Sequence, residues 1–178
     1  MIIHSPRVIL RPISVDDTDE FYTWGCQSDV TQFSLSAYRY PQSKTDVEQW
    51  LASINQDKRT ISFGIVEPHN QTLIGFAGIA SMSTLNRSGE YFILIGNKEY
   101  WGQGLGTEVT KLVARYAFND IGLHRLSLTA FATNPAAIKA YEKAGFQHEG
   151  VLRQSGFRNG TFHDKVMMSL LATEQPAE

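Results

Sequence analysis

From Tyr91 to Thr107 the chain reads YFILIGNKEYWGQGLGT, an apolar run followed by glycines at 102, 104 and 106. Glycines at a strand-to-helix turn let backbone N–H groups come close to a ligand, and the helix N-terminus adds the positive end of its dipole. Such a turn suits a phosphate or pyrophosphate. Two common phosphate loops do not match. A Walker A loop ends in Gly-Lys-Ser/Thr, whereas Gly106 is followed by Thr107 and Glu108. A dinucleotide fingerprint needs a glycine five residues after Gly102, where Thr107 stands. By pattern alone, a glycine-rich turn without a ligand is the competing reading.

A second stretch, NPAAIKAYEKAGF at 134–146, opens with Asn134 as N-cap and Pro135 in the first turn, and closes at Gly145. The helix between them puts Ile138 and Tyr141 on one face. Taken alone, Tyr141 reads as a core aromatic. The order changes that: a phosphate-binding turn, a helix, a strand, then an Asn-Pro-capped helix ending in Y-E-x-x-G-F.

On these residues the chain resembles the GNAT superfamily of N-acetyltransferases, in the branch of ribosomal-protein alanine and spermidine acetyltransferases, over residues 7–171. The resemblance implies that a Q/R-x-x-G-x-G/A signature holds the pyrophosphate of acetyl-CoA. Here Trp101, Gly102, Gln103, Gly104, Leu105 and Gly106, running into Thr107, supply it, with Trp at the position of Gln or Arg. It further implies that main-chain groups of Phe92, Ile93, Leu94 and Ile95 pair with the pantetheine arm. Asn134 is then expected near the cofactor and Tyr141 near the thioester sulfur.

Acetyl transfer to an amine needs a free lone pair, a polarised carbonyl and a proton for the departing thiolate. An alkylammonium has a pKa of about 10.4 and must lose its proton before attack. A phenol, at about 10, suits the thiolate, so Tyr141 is the candidate general acid. Backbone N–H groups at the end of the 91–95 strand are candidate donors to the developing oxyanion. Glu90 is the candidate base; its competing readings are an exposed charge or replacement by a water chain. The expected reaction is direct attack by a primary amine (a peptide N-terminus, a polyamine or a small amine) in a ternary complex. The alternative is a catalytically silent CoA-binding regulatory domain of the same fold.

The elements that must position these residues form an α+β pattern. Strands are predicted at 8–13, 61–67, 73–81, 89–96, 125–130, 151–157 and 161–171, and helices at 16–24, 44–56, 104–120 and 134–144. The fold class is a central, mostly antiparallel twisted sheet of about six to seven strands flanked by about four helices. The run YFILI at 91–95 lacks alternation, which predicts the buried middle of the sheet. Asp16, Asp17, Asp19 and Glu20 enrich the start of the first helix, where acids suit the dipole.

With 178 residues, 42% apolar and 19% charged, the chain is expected to be one domain with a core at 7–171 and a frayed tail at 173–178. A net charge of −2 argues against a nucleic-acid binder that neutralises many phosphates, and against a polybasic membrane anchor. The single cysteine, Cys26, allows no internal disulfide and reads as a small buried side chain. No apolar run reaches the roughly 20 residues of a membrane span. The N-terminus reads as too short and interrupted for a signal peptide, so a cytoplasmic protein is expected. His4, His69, His124, His148 and His163 lack metal-ligand spacing, and no metal is expected. Monomer and homo-oligomer are both compatible with the sequence.

Trp24 is read as core; Phe33, Tyr38 and Tyr40 either shape an acceptor pocket or fill the core. Residues 27–42 hold one acid, Asp29, and one base, Arg39, little to attract a polycation. Residues 90–178 carry nine basic and nine acidic side chains. The phosphates of CoA are therefore expected to rely on backbone amides of the glycine loop.

Overall fold

Short apolar runs separated by capped helices fold into eight strands and five α-helices among the described residues, 1–34 and 40–175, of the computed structural model. The strands are β1 (Ile3–His4), β2 (Ile9–Pro12), β3 (Ile61–Val66), β4 (Leu73–Ser83), β5 (Ser88–Ile95), β6 (Arg125–Phe131), β7 (Gln147–Arg158) and β8 (Thr161–Leu171). The helices are α1 (Thr18–Gly25), α2 (Ser28–Thr31), α3 (Lys44–Ser53), α4 (Leu105–Asn119) and α5 (Pro135–Lys143). The sheet order is β1-β2-β3-β4-β5-β6-β8-β7; β5 and β6 run parallel, while the β1–β2, β2–β3, β6–β8 and β8–β7 pairs are antiparallel. This is the expected mixed class. The extra strand is β1, two residues paired with β2, and the extra helix is the single turn α2. Among the described residues no helix is long and apolar enough to cross a membrane.

The chain divides into two compact units, Met1–Gly78 with Ile93–Leu105, and Ile79–Phe92 with Gly106–Glu178. In the first, α1 lays Phe21 against Phe76 of β4 (ring centroids 5.0 Å apart) and Trp50 of α3 (5.5 Å). Trp24 is buried as expected, and it is the reason for Gly96: a Cβ there would stand 2.1 Å from the indole. Ahead of α1, Ser14 caps a short 3-10 turn at Val15–Asp17. Asp17 is buried and accepts two bonds from the Arg11 guanidinium, at 2.9 and 2.6 Å, and a third from the Ser14 N–H at 2.9 Å. Asp19 and Glu20 occupy the first turn of α1 as expected, whereas Asp17 neutralises Arg11. Helix α3 ends at Ser53 and not at 56. There the side chain of Asn55 turns to β3, donating to the Ser62 carbonyl (3.2 Å) and accepting from the Ser62 N–H (2.8 Å).

In the second unit, α4 buries Val109, Val113 and Ala117, alongside Leu126 of β6 and Met168 and Leu170 of β8. Strand β7 starts at Gln147, ahead of the expected 151, because its polar first residues pair with Ser169, Met168 and Met167 of β8. Past the end of β8, Glu174 accepts from the Leu171 N–H and from the Gln147 side chain, both at 3.0 Å.

One ion pair ties three strands. Arg125 on β6 donates two bonds to Glu149 on β7, at 2.7 and 2.5 Å, and Ser169 on the intervening β8 donates a third at 2.8 Å. These bonds, the Arg125 guanidinium first, hold the Glu149 carboxyl down at about 2, from an ordinary 4.5. A depressed carboxylate stabilises the fold above its unfolded pKa and loses that contribution as pH falls toward its folded value. Glu149→Gln is therefore expected to be less stable than the wild type at neutral pH. Denaturant unfolding at stepped pH should show the difference shrinking between about 4.5 and about 2.

Candidate active site

The first turn of α4 is held by side chains. Thr110 donates its one proton to the Gly106 carbonyl at 2.6 Å, so the 3.0 Å contact between its Oγ1 and the Tyr91 hydroxyl must be a bond donated by Tyr91. Tyr91 is 3% exposed, and burial pushes its phenol well above the ordinary value, so it keeps the proton it donates. The same turn is tied to α5: the Thr107 hydroxyl donates to the Ala140 carbonyl at 3.3 Å, and a Cβ on Gly106 would stand 4.0 Å from that of Ala140. The second unit thus brings Gly106 and Thr107 beside the residue preceding Tyr141.

Tyr141 lies edge-on to Tyr91, with ring centroids 6.1 Å apart, and packs on Phe146 at 6.2 Å. Burial pushes its phenol up to about 12, although the residue keeps some accessible surface. Among the described residues its hydroxyl makes no hydrogen bond to the protein. It is a protonated donor with its proton uncommitted. Asn134 caps α5 as expected, its side-chain oxygen accepting from the Ala137 N–H at 3.2 Å; the cap uses none of its amide hydrogens.

In the first unit, Gly102 and Gly104 take φ of +73° and +79°, conformations that L side chains rarely adopt. Among the described residues, and apart from its chain neighbours, no heavy atom lies within 4 Å of a Cβ placed on Gly102. Trp101 takes the place of a polar residue differently from what its position suggests. Its indole N–H donates to the Ile95 carbonyl at 2.8 Å, closing the loop on the end of β5. Gln103 folds back in the same way, its side-chain N–H2 reaching the Glu99 carbonyl at 2.7 Å. A glycine turn leading into a helix suits a phosphate or pyrophosphate group.

Several expectations change. Phe92, Ile93, Leu94 and Ile95 are half-buried, not buried. The parallel pairing of β5 with β6 joins Ser88, Gly89 and Glu90 to Arg125, Leu126 and Ser127. Among the described residues it stops there, although β6 runs on. The N–H groups just beyond β5, those of Gly96 and Asn97, both donate to the Ile74 carbonyl, at 2.9 and 3.0 Å, so these two are engaged within the protein. Glu90 is exposed. Side chains alternate along a strand, so it leaves β5 on the face opposite Tyr91 and the structure does not set it against Tyr141. Cys26 is exposed, since it follows α1 on a turn that faces outward.

Phe33 and Tyr40 are exposed, at 37% and 73%, and fill no core; Tyr38 and Arg39 lie outside the described residues. His4, His69, His124 and His148 are exposed, while His163 is half-buried near the Phe131 ring. Among the described residues no group of three or more His, Cys, Asp or Glu is placed to hold a metal ion. The sequence reading missed Thr110 and the hydroxyl role of Tyr91. Both look like ordinary strand and helix residues until a single hydrogen bond joins them.

A family model described as the acetyltransferase (GNAT) domain matches residues 7–147. An uncharacterized N-acetyltransferase, YoaA, of Bacillus subtilis (strain 168) is 32% identical over 173 residues, covering 96% of both chains. The spermidine N(1)-acetyltransferase of Vibrio cholerae is 31% identical over 110 residues, 62% of this chain and 63% of that protein. The crystal structure of the Vibrio cholerae spermidine N-acetyltransferase in complex with CoA and spermine matches at a TM-score of 0.85 and 23% identity, covering 96% of this chain and 98% of that one. At that identity the likeness is one of fold.

The hydroxyl pair has a measurable signature. Thr110→Val strands the buried Tyr91 hydroxyl and is expected to cost about 1–3 kcal/mol in denaturant unfolding. Tyr91→Phe leaves Thr110 its bond to Gly106 and is expected to cost roughly 1 kcal/mol. The double variant should cost little more than Thr110→Val alone; simple additivity would show that the two hydroxyls are not coupled.

Proposed function

This chain belongs to the acetyltransferase (GNAT) family and is an N-acetyltransferase; on that premise we propose that, as one catalytic domain, it acetylates a primary amine by direct attack in a ternary complex. One observation carries the reading: the side-chain-free turn at Gly106, tied through Thr107, lies against Ala140, next to a tyrosine that holds its proton. When bound, acetyl-CoA supplies an activated acetyl thioester. Gly102, Gly104 and Gly106 would hold its pyrophosphate on backbone N–H groups. The main chain of the half-buried residues Phe92, Ile93, Leu94 and Ile95 would take the pantetheine arm, and Asn134 would be a further cofactor contact. In this reading Tyr141 is the general acid and gives its proton to the thiolate, and Glu90 is the base that accepts the ammonium proton. Glu90 acts from the opposite face of β5, so acid and base serve the two sides of the strand.

For the acceptor, local charge favours an amine of low total charge over a polycation. Lys98 pairs with Asp29, and Lys44 with Asp19, which cancels two of the acids that would attract one. The reading places the enzyme in the cytoplasm with no metal.

Tyr141→Phe is expected to lower kcat by about 100-fold or more while leaving acetyl-CoA affinity within about threefold. Unchanged kcat, with chemistry rate-limiting, removes Tyr141 as the acid. Because its phenol sits at about 12, kcat/KM for the amine should rise with pH toward the amine's own pKa, with no loss from Tyr141 below about 11.

Glu90→Gln is expected to lower kcat/KM for the amine by about tenfold and to shift its pH profile. An unaltered profile leaves the proton to water. Thiol release over peptide N-termini, polyamines, amino sugars and amino acids identifies the acceptor. CoA binding without turnover on any of them would favour a silent CoA-binding domain.

A further inference from the structure

We propose that Phe146 is a positioning residue for Tyr141: its N–H ties off the turn that carries the phenol, and its ring walls one side of the phenol. The inference rests on the reading of Tyr141 as the acid and adds the group that keeps that acid in place.

Helix α5 ends in a left-handed glycine cap. Gly145 takes φ of +104°, and its N–H donates to the Glu142 carbonyl at 3.0 Å. The N–H of Phe146 reaches back to the Tyr141 carbonyl, also at 3.0 Å. Phe146 then returns to Tyr141 through its side chain. Its buried ring stands 6.2 Å from that of Tyr141 and 6.1 Å from that of Tyr91. Tyr91 stands 6.1 Å from Tyr141, so the three rings form a nearly equilateral group.

Two of those rings are fixed from outside the group. Tyr91 is held by its bond to Thr110. Phe146 is held by the chain on both sides of it. A Cβ on Gly145 would meet Leu170 of β8 at 3.4 Å, and Gln147 begins the pairing of β7 by facing Ser169 of β8. Tyr141 has no anchor at its own tip, because among the described residues its hydroxyl makes no hydrogen bond. There its ring meets two others, Tyr91 and Phe146. A side chain without a polar anchor keeps one rotamer only where its neighbours close off the rest. The backbone tie and the ring contact of Phe146 converge on the one residue that needs both.

The test is Phe146→Leu, with Phe146→Met as the variant closer in bulk, each made in the wild type and in Tyr141→Phe. With chemistry rate-limiting, Phe146→Leu is expected to lower kcat by about tenfold and to leave KM for acetyl-CoA within about threefold. Phe146→Met should recover part of that loss. In Tyr141→Phe the same substitutions should change kcat by less than about twofold, since the group they position is gone. Carbon-13 labelling at the tyrosine Cζ follows the phenol directly, the Tyr141 signal being identified by its absence from Tyr141→Phe. Burial holds that phenol up at about 12, so in Phe146→Leu it should begin to ionise at lower pH than in the wild type. A phenol so released is the stronger acid, which by itself favours faster proton transfer; a fall in kcat therefore reports lost position.

An unchanged or higher kcat in Phe146→Leu overturns the proposal. So does an equal loss in the Tyr141→Phe background, or a Tyr141 signal that titrates as in the wild type, because a merely structural core residue would behave in these ways. Thermal melting checks the fold; if Phe146→Leu melts below the assay temperature, Phe146→Met decides by the same readouts. An unchanged kcat in Tyr141→Phe overturns the acid reading, and with it the catalytic sense of the proposal. The carbon-13 titration tells that failure from one confined to Phe146.

Discussion

A helix N-terminus presents its free N–H groups wherever its first turn is held, and in this protein the first turn of α4 is held by a hydroxyl. Thr110 has a single proton and gives it to the Gly106 carbonyl, which obliges Tyr91 to donate to Thr110. A strand residue thereby sets the position of a helix turn that has no side chain of its own to grip. Thr107 adds the second tie, to Ala140 on α5. Tyr141 follows Ala140, so the placement of the phenol and the placement of the glycine turn are one problem with one solution in the second unit. Burial of the Tyr91 hydroxyl is what makes the arrangement strict, because an unpaired buried hydroxyl is costly.

The glycine loop divides its work between backbone and side chains unusually. Its own side chains are spent on its own shape: Trp101 on the Ile95 carbonyl, Gln103 on the Glu99 carbonyl. That leaves backbone N–H groups as the loop's own donors to a ligand. The even balance of acids and bases over residues 90–178 agrees with a loop that works through its backbone, since it adds no basic excess around it.

The proposed acid and the proposed base stand in contrasting settings. Tyr141 is enclosed by rings and held protonated, whereas Glu90 is exposed on the other side of β5. A buried phenol at about 12 holds its proton throughout the neutral range, so a proton for the departing thiolate would be on hand, although giving it up is uphill. An exposed carboxylate exchanges protons with solvent freely, which suits a group that must be reset after each cycle. Among the described residues the pairing of β5 with β6 ends at Glu90, and beyond the buried Tyr91 the residues Phe92 to Ile95 are half-buried.

The local elements were legible in the amino-acid order. The Asn-Pro cap, the C-terminal Gly145, the extent of β8 and the apolar stripe of α4 each depend on neighbours within a few residues, and each stands where it was expected. The motif around Gly102, Gly104 and Gly106 was legible for the same reason: positive φ at the first two is a demand of the local turn. What lay beyond sequence were pairings across long separations. The polar start of β7 is a strand only because β8 pairs with it; Asn55 ends α3 only because Ser62 is there to receive it. Exposure of Cys26, the 3-10 turn at Asp17 and the opposite faces of Glu90 and Tyr141 likewise depend on packing that composition does not contain. Sequence alone determined the family resemblance and the residue types available for chemistry, because those are properties of order and spacing. Only the tertiary structure decided which hydroxyl holds the turn and which rings enclose the Tyr141 phenol, because a hydrogen bond between residues 19 apart, like a contact between rings of β5 and α5, exists only once the chain has folded.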